Sequence, residues 1–498
     1  MDEESSDVVR RDRFSGGPAR GFLSSMDADE RIFEADLAVD RAHVVMLAER
    51  GIVTDDEAGE ILAALSGVEE AGYDALPDGE DVHASIETAV IERIGPVGGK
   101  MHTARSRNDE VATCIRYRLR EDVLETLRAT LVLRETLLER ANEHVETVMP
   151  GYTHLQPAQP TTVAHYLLSY EQAVARDTER LLDAYGRIDR CPLGAAAFAG
   201  TPFDVDRERT AALLGFGATR ASGTNGDASN GSDGVLGNSM DAVSSRDFLL
   251  ETSGALSNLA ITLSGLAEDL IGFANRGHVE LADDYASTSS IMPQKKNPDT
   301  LELVRATAGD ASAGTSGLLS TLKGLPRAYN RDLQRATPHA WETVDAVSEA
   351  TDVAAGAVAT AEWDESSLAA AAAEGFSTAT GVADALAMEG LPFRTAHELV
   401  ARASEAGSDY AALEAAAEEL LDEPLDAYVS RKAIEEALDP VESVASRDSR
   451  GGPAPDAVRD RLEAVRGGIA ADGEAVDELE GAIIRADDAL AEEVRTFV

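Results

Sequence analysis

Three polar segments of this 498-residue chain carry most of the side chains that could transform a small acidic molecule. They read GGKMHTARSRND at 98–109, MPGYTHLQPAQPTT at 149–162 and SSIMPQKKNPDTLE at 289–302. Together they supply hydroxyl, imidazole, amide, ammonium and guanidinium groups, which suit proton transfer and carboxylate binding. Each segment taken alone has a simpler explanation as helix caps, turn residues or surface histidine.

The net charge of the chain limits the classes of molecule that it is expected to bind. It has 44 basic and 91 acidic residues, a net charge of −47, which disfavours nucleic acid and anionic membranes. Only five of the basic residues are lysines. Three of them, Lys100, Lys295 and Lys296, lie in the first and third polar segments, where we expect an anion to bind. An acidic, lysine-poor surface also predicts a halophilic protein, because concentrated salt screens its self-repulsion.

Common cofactor and targeting motifs are missing from the sequence. The stretch IGPVGGKM at 94–101 lacks the spacing and the hydroxyl residue of a phosphate loop. The nine histidines show no paired helical spacing, and Cys114 and Cys191 match no zinc motif, so we expect neither metal nor cofactor. The N-terminus does not read as a secretory signal and no apolar run is long enough to span a membrane, which predicts a cytoplasmic protein.

Long helices must position the three segments. Apolar residues recur every three or four positions over four stretches, and alternating β-type runs are scarce. The predicted helices are Glu110–Met149 ended by Pro150, Thr162–Tyr185, a seam over Leu256–Leu270 capped by Ser239 or Asp241, and Pro298–Leu322 capped by Asn297.

The pattern predicts an all-α protein built around a bundle of long helices. We expect an N-terminal domain at 1–113, the central bundle at 114–365 and a C-terminal helical domain at 366–498, where the sequence becomes rich in alanine and glutamate. A Gly, Ser, Asn and Asp-rich stretch at 217–238 predicts a flexible surface insertion. Apolar stripes of this length usually need partner helices, so oligomerisation is expected.

Taken together, the segments resemble the argininosuccinate lyase family of the fumarase and aspartase superfamily, over nearly the whole chain. RSRND, GYTHLQPAQP and QKKNPD, in that order, distinguish this lyase from its relatives. Further landmarks are RFSGG at 13–17, FLSSM at 22–26, AYNRDLQ at 328–334 and GLPFRTAH at 390–397. The resemblance implies a homotetramer in which segments of three subunits form each active site, without a cofactor.

The family reaction is β-elimination of argininosuccinate to arginine and fumarate. The resemblance implies that Ser289 is the general base, with Lys295 stabilising its alkoxide, and that His154 is the acid, oriented by Glu302. Lys295 and Asn297 are expected to hold the carboxylate where negative charge accumulates. One alternative remains, in which Ser289 only hydrogen-bonds the substrate.

Other positions match substrate-binding residues of the family. They are Ser25, Ser106, Arg107, Asn108, Thr153, Arg246, Tyr329 and Gln334. Two positions depart from the pattern. Thr288 stands where the family has glycine, which predicts a stiffer serine loop. Thr337 stands where the family usually has a carboxylate-binding lysine, and Arg331 or Arg335 are possible substitutes.

Two other functions are compatible with the same sequence class. A related lyase would use adenylosuccinate or a simpler amino or hydroxy diacid, but QKKN and RSRND disfavour it. A catalytically inert, crystallin-like structural protein is the second alternative. The presence of Ser289, His154 and Lys295 disfavours that reading.

Overall fold

The computed structural model describes residues 19–218 and 234–498. It is 73% helical and 5% strand, which confirms the all-α prediction. The RFSGG landmark and residues 219–233 of the predicted insertion lie outside the described residues.

Five helices precede the bundle. They are α1 Ala19–Leu23, α2 Met26–Asp29, α3 Phe33–Glu49, α4 Asp55–Ala71 and α5 Val82–Ile94. Side chains fix where the last two begin. Thr54 and Glu57 form a capping box on α4, and Asp81 accepts a hydrogen bond from the backbone N–H of Ala84 on α5. A 3-10 segment, Gly95–His102, then leads into the first bundle helix.

The central body is a bundle of five long helices. They are α6 Arg107–Glu143, α7 Val163–Ile188, α10 Asp247–Asn275, α11 Asp299–Leu322 and α12 Thr337–Thr360, with the short α8 Arg207–Leu213 and α9 Ser239–Ser244 between them. Helix α6 packs on α7 and α12, and α10 packs on α7, α11 and α12. The predicted leucine seam from Leu256 to Leu270 is buried in this core.

The structure corrects three predicted helix ends. Helix α6 stops at Glu143 instead of Met149, because the chain turns and forms a hairpin of β1 Val148–Thr153 and β2 Gln156–Thr162. Asn297 does not cap α11. It lies in β5 Lys296–Asn297, which pairs with β4 Ser287–Thr288, and α11 begins two residues later. Nor does Ser239 or Asp241 cap α10, since Asn238 caps the separate helix α9.

Seven further helices complete the chain. They are α13 Glu365–Ala372, α14 Ala379–Met388, α15 Phe393–Ala406, α16 Tyr410–Leu421, α17 Arg431–Leu438, α18 Pro440–Ala445 and α19 Pro455–Phe497. Helices α14 to α17 enclose a hydrophobic core of their own. Helix α19 instead returns to pack on α6 and α4. The three domain boundaries drawn from the sequence remain predictions.

The two ends of the bundle lie far apart, because its helices are long. With 37 residues, α6 is about 55 Å long at 1.5 Å per residue. The starts of α6, α10 and α12 meet at one end, which we call the cavity end. The β1–β2 hairpin lies at the other, the hairpin end, where Tyr152 Oη and His278 Nε2 are 3.2 Å apart just beyond α10. The short strands β3 Val279–Glu280 and β6 Glu362–Trp363 pair there too. Within the described ranges, no helix is both long and apolar enough to cross a bilayer.

Candidate active site

A cavity of about 520 Å³ opens at the cavity end of the bundle. Seven of the predicted site residues line it: Ser25, Ser106, Arg107, Asn108, Arg246, Tyr329 and Gln334. They come from four separate stretches of sequence, which the starts of α2, α6, α10 and α12 bring together. The fold therefore unites most of the predicted substrate-binding residues in one chain.

The start of α6 is built by a capping box. Ser106 Oγ accepts from the N–H of Asn108 (3.3 Å), and the N–H of Ser106 donates to Asp109 Oδ1 (2.9 Å). The second oxygen of Asp109 accepts from the N–H groups of Gly194 and Ala196 at 2.9 and 2.8 Å. Burial raises the pKa of Asp109 to about 6. Asp109 is thus a structural residue, as the simpler reading of RSRND predicted, and it fixes the loop that faces Asn108.

Arg246 is a buried cation in the wall of the cavity. Its side chain is 3% exposed, and it makes no salt bridge with the described part of the chain. Nη1 donates to the carbonyl of Ser245 (2.9 Å), whereas Nε has no acceptor. Burial lowers the pKa of Arg246 to about 10, which leaves the guanidinium charged at neutral pH. A buried, unpaired cation in a cavity is poised to bind an anion.

The sequence reading missed the acidic side of the cavity. Asp29, Glu80, Asp81, His83 and His102 also line it, and the cluster EDVH at 80–83 was the available signal. Asp81 pairs with Arg107 at 2.8 Å, and Glu80 pairs with Arg331.

Beneath the cavity lies a buried charge network. His83 Nδ1 is 2.7 Å from Asp36 Oδ2. Burial alone would lower the pKa of His83, but the carboxylates of Asp36 and Glu110 raise it to about 10. Arg105 joins this network through Asp40 (2.5 Å) and Glu110 (3.0 Å). Arg105 therefore supports the cavity from below and does not line it.

The other predicted residues lie at the hairpin end. Thr153 and His154 are exposed at the tip of the β1–β2 hairpin. His154 and Leu155 form its two-residue turn with φ of +55° and +59°. Non-glycine residues in this conformation cost about 1 kcal/mol each, and such strain concentrates at functional sites.

Ser289 lies in the loop between β4 and β5. Its Oγ accepts hydrogen bonds from the N–H groups of Met292 (3.1 Å) and Ile291 (3.4 Å). Its own N–H donates to the carbonyl of Lys295 at 3.1 Å. Two N–H donors aimed at one hydroxyl oxygen stabilise negative charge on it.

The two lysines of this loop differ in their surroundings. Lys295 is exposed and makes no salt bridge within the described ranges, whereas Lys296 pairs with Asp283 (2.8 Å) and Glu280 (3.2 Å). Of these two lysines, Lys295 is therefore the one available to pair with an anion. The third lysine of the polar segments, Lys100, pairs with Glu57 and does not itself line the cavity, whereas Ser106, Arg107 and Asn108 of the same segment do.

Within one chain the acid and base candidates are far from the cavity. Asn297 lines a different cavity, of about 530 Å³, and Glu302 is exposed on the first turns of α11. Among the described residues no hydrogen bond or salt bridge joins Glu302 to His154, so their predicted pairing stays a prediction. Because α6 separates the two bundle ends by about 55 Å, a single chain does not assemble all the predicted residues.

Comparison with known proteins decides the family. A family described as "Lyase" matches residues 22–312, and "Argininosuccinate lyase C-terminal" matches residues 376–445. The chain is 69% identical to an argininosuccinate lyase of Natronomonas pharaonis, covering 98% of this chain and 96% of that protein. It is 63% identical to an argininosuccinate lyase of Haloarcula marismortui, covering 100% and 98%. The chain belongs to the argininosuccinate lyase family.

Solved structures agree with this membership. EDDS lyase in complex with formate matches with a TM-score of 0.84 and 32% identity, over 97% of this chain and 96% of that one. A class II fumarase from Schistosoma mansoni matches with a TM-score of 0.68 at 17% identity, over 84% and 92%, which shows the common fold. The family resemblance, the fold class and the lyase class predicted from the sequence are thereby confirmed. The relatives from halophilic archaea also confirm the halophile expectation.

Two departures from the argininosuccinate lyase pattern can now be located. Thr337 lines the cavity, and of its two possible substitutes Arg331 lines it while Arg335 does not. Arg331 also pairs with Glu80, so its role as a substitute for the family lysine stays a prediction. Thr288 lies in β4 and pairs with Lys296, where a β-branched residue fits an extended backbone.

Proposed function

We propose that this lyase cleaves argininosuccinate into arginine and fumarate, in a homotetramer whose active sites combine the cavity of one subunit with the hairpin and serine loop of others. One observation carries the proposal. The binding residues and the acid and base candidates form two coherent halves at opposite ends of a helix about 55 Å long. If the bundles of neighbouring subunits pack antiparallel, the cavity end of one subunit would lie beside the hairpin end of another.

Apolar side chains beside the catalytic candidates support assembly. Leu155, next to His154, is 79% exposed, and Ile291, near Ser289, is 83% exposed. On the outer face of the bundle, Leu303 of α11 is 72% exposed and Ile261 of α10 is 65% exposed. Exposed apolar residues on long helices are typical of interfaces between subunits. A second copy of the bundle would cover them.

The chemistry divides between the two halves. Arg246 binds a substrate carboxylate in the cavity. Ser289 removes a proton from the carbon beside a carboxylate, and the N–H groups of Ile291 and Met292, with Lys295, stabilise the charge on its oxygen. His154 then donates a proton to the departing guanidine nitrogen, since that nitrogen must leave as part of a cationic product. In this scheme, side chains and backbone N–H groups of the protein perform every step.

The reaction is tested by mixing purified protein with argininosuccinate in molar KCl and following fumarate absorbance. Formation of fumarate from argininosuccinate, and not from adenylosuccinate, is expected. Fumarate from adenylosuccinate would favour the related lyase, and no fumarate from either would favour the inert structural protein. Sedimentation in the same buffer should give a tetramer.

We also infer that the enzyme works in the cytoplasm. Its reaction would be part of arginine biosynthesis.

A further inference from the structure

Tyr152 is the last residue of β1 before the hairpin tip whose side chain packs on the body of its own chain. Its ring centroid lies 6.3 Å from that of Phe273 on α10, and the guanidinium carbon of Arg276 lies 4.9 Å from it. Its Oη is 3.2 Å from Nε2 of His278. All three partners belong to one short stretch at the end of α10, and we call this set of contacts the hairpin clamp.

The four residues beyond Tyr152 form an exposed tip. Thr153, His154, Leu155 and Gln156 are all exposed, and within the described ranges none of their side chains makes a hydrogen bond or a salt bridge. His154 is two residues from Tyr152, which is about 7 Å along an extended strand. The place where Tyr152 is held therefore sets the direction in which the tip points.

His278 is itself fixed by neighbouring elements. It is buried, its Nδ1 is 3.0 Å from Ser367 Oγ on α13, and its carbonyl accepts from the N–H of Asp364 at 3.0 Å. Burial, together with the charge of Arg276, lowers the pKa of His278, so its imidazole is neutral at neutral pH. A neutral imidazole has one donor and one acceptor nitrogen, which the hydroxyls of Tyr152 and Ser367 can satisfy together.

The base of the hairpin is anchored without the clamp. His165 Nδ1 is 2.9 Å from Thr161 Oγ1, and its Nε2 is 2.9 Å from the carbonyl oxygen of Gly451. Val148, at the start of β1, is buried against Val444 of α18. Loss of the clamp should therefore loosen the tip and leave the base folded.

We propose that Tyr152 and His278 are positioning residues, whose contact aims the hairpin tip so that His154 reaches the departing nitrogen of the substrate. This rests on the proposed role of His154 as the acid. Proton transfer requires the donor within hydrogen-bond reach, and a misplacement of about 1 Å can lower a rate about 100-fold. Neither positioning residue touches the substrate in this scheme, and the binding residues of the cavity do not depend on them.

The first test measures kcat and KM for argininosuccinate in molar KCl. Tyr152→Phe removes only the hydroxyl, and kcat should fall roughly 3- to 10-fold because one hydrogen bond that holds the tip is lost. KM should stay within about twofold, since the cavity is untouched. His278→Phe should have the same effect, and the double variant should lose no more than either single variant. Unchanged kcat in both single variants, or losses that multiply in the double variant, would overturn the proposal.

Tyr170→Phe is the matched control. Tyr170 is also half-buried, and its Oη donates to Asp269 Oδ2 on α10 at 2.6 Å, but it lies outside the hairpin. Its removal should leave kcat unchanged even if the melting temperature falls. A loss of kcat as large as that of Tyr152→Phe would mean that general loosening of α10 explains both results, and the clamp would be refuted.

A second test follows the tip without using activity. Hydrogen exchange of residues 148–162 in the assembled protein should become faster in Tyr152→Phe and His278→Phe and should stay native in Tyr170→Phe, because only the first two free the tip. Native exchange in all three variants would contradict the clamp. Absence of fumarate from the native enzyme would instead refute the proposed function, and the exchange comparison would still decide whether the clamp exists.

The link to His154 is tested by combining variants. Tyr152→Phe added to His154→Asn should cause no further loss of the residual rate, because the clamp acts through the imidazole that is already missing. A further loss of roughly 3- to 10-fold would show that the clamp acts through another group. Near-native activity of His154→Asn alone would remove the acid assignment, and with it the aiming role proposed for the clamp.

Discussion

Replacing Arg246 with methionine should make the protein more stable and nearly inactive. The guanidinium is 3% exposed and has no carboxylate partner among the described residues, so the folded protein carries the cost of a buried charge. Burial lowers its pKa to about 10, a change that corresponds to about 3 kcal/mol of destabilisation at neutral pH. Because the folded pKa is depressed, this penalty is present below pH 10 and disappears only above it.

Arg246→Met should raise the free energy of unfolding by less than that penalty. The variant loses the hydrogen bond from Nη1 to the carbonyl of Ser245, worth about 1 kcal/mol. A net gain of about 2 kcal/mol remains, which for a chain of this size raises the melting temperature by about 2 °C. Fumarate should raise the melting temperature of the native protein and should leave the melting temperature of the variant unchanged. The ratio kcat/KM should fall roughly 100-fold or more, because a desolvated anion partner is lost.

Arg120→Met provides the matched control. Arg120 is also fully buried, but it bonds Asp189 (3.2 Å) and two backbone carbonyls, those of Leu214 and Gly215. Its removal takes the donor from the carbonyls of Leu214 and Gly215 and breaks a buried ion pair, which should lower stability by about 3 kcal/mol or more. Scanning calorimetry at constant KCl concentration compares the two variants. If Arg246→Met melts below the native protein and still responds to fumarate, Arg246 is a structural residue and the anion-site reasoning is wrong.

The remaining predictions concern three parts of the molecule. Ser289→Ala and His154→Asn should fold with native circular dichroism yet lose fumarate production by orders of magnitude, and near-native rates in either would remove its assigned role. Asp109→Ala leaves three N–H groups without their acceptor and should cost roughly 2–4 kcal/mol in unfolding experiments, whereas an unchanged melting curve would deny its structural role. The pKa of His83 is raised to about 10, so its stabilisation is complete below its unfolded pKa of about 6.5 and should be lost as pH rises through 10. Melting curves of native protein and His83→Gln should converge at alkaline pH, and parallel curves would contradict this.

Much of the fold follows from the periodicity of the sequence, because apolar side chains at helical spacing mark the face of each helix that is buried in the core. The leucine seam of α10 and the long stripe of α6 are buried as expected. Helix ends were less predictable. The six residues after Glu143 have no helix breaker before Pro150, yet they leave the helix because pairing of Val148 with Thr162 satisfies their backbone in the hairpin.

The binding half of the site was largely predictable, and its acidic wall was not. The seven predicted residues in the cavity were named from the family resemblance; six lie in the motifs FLSSM, RSRND and AYNRDLQ, and Arg246 lies in none of them. The cluster EDVH at 80–83 was a signal that was missed, whereas Asp29 gave none, because in a chain with 91 acidic residues a single carboxylate looks like surface charge. Only its burial in the wall of the cavity distinguishes Asp29. The distance between Asn108 and His154 likewise depends on helix length and on assembly, which a list of motifs does not contain.

Mixing two inactive variants tests most directly whether unlike bundle ends share an active site. Arg246→Met damages the cavity and Ser289→Ala damages the serine loop, at opposite ends of the bundle. After joint unfolding and reassembly in equal amounts, about one quarter of native activity should return, since random mixing in a symmetric oligomer pairs intact halves in that proportion of sites. If the mixture stays as inactive as either variant alone, while each variant reassembles to a tetramer, the active site is not shared between subunits.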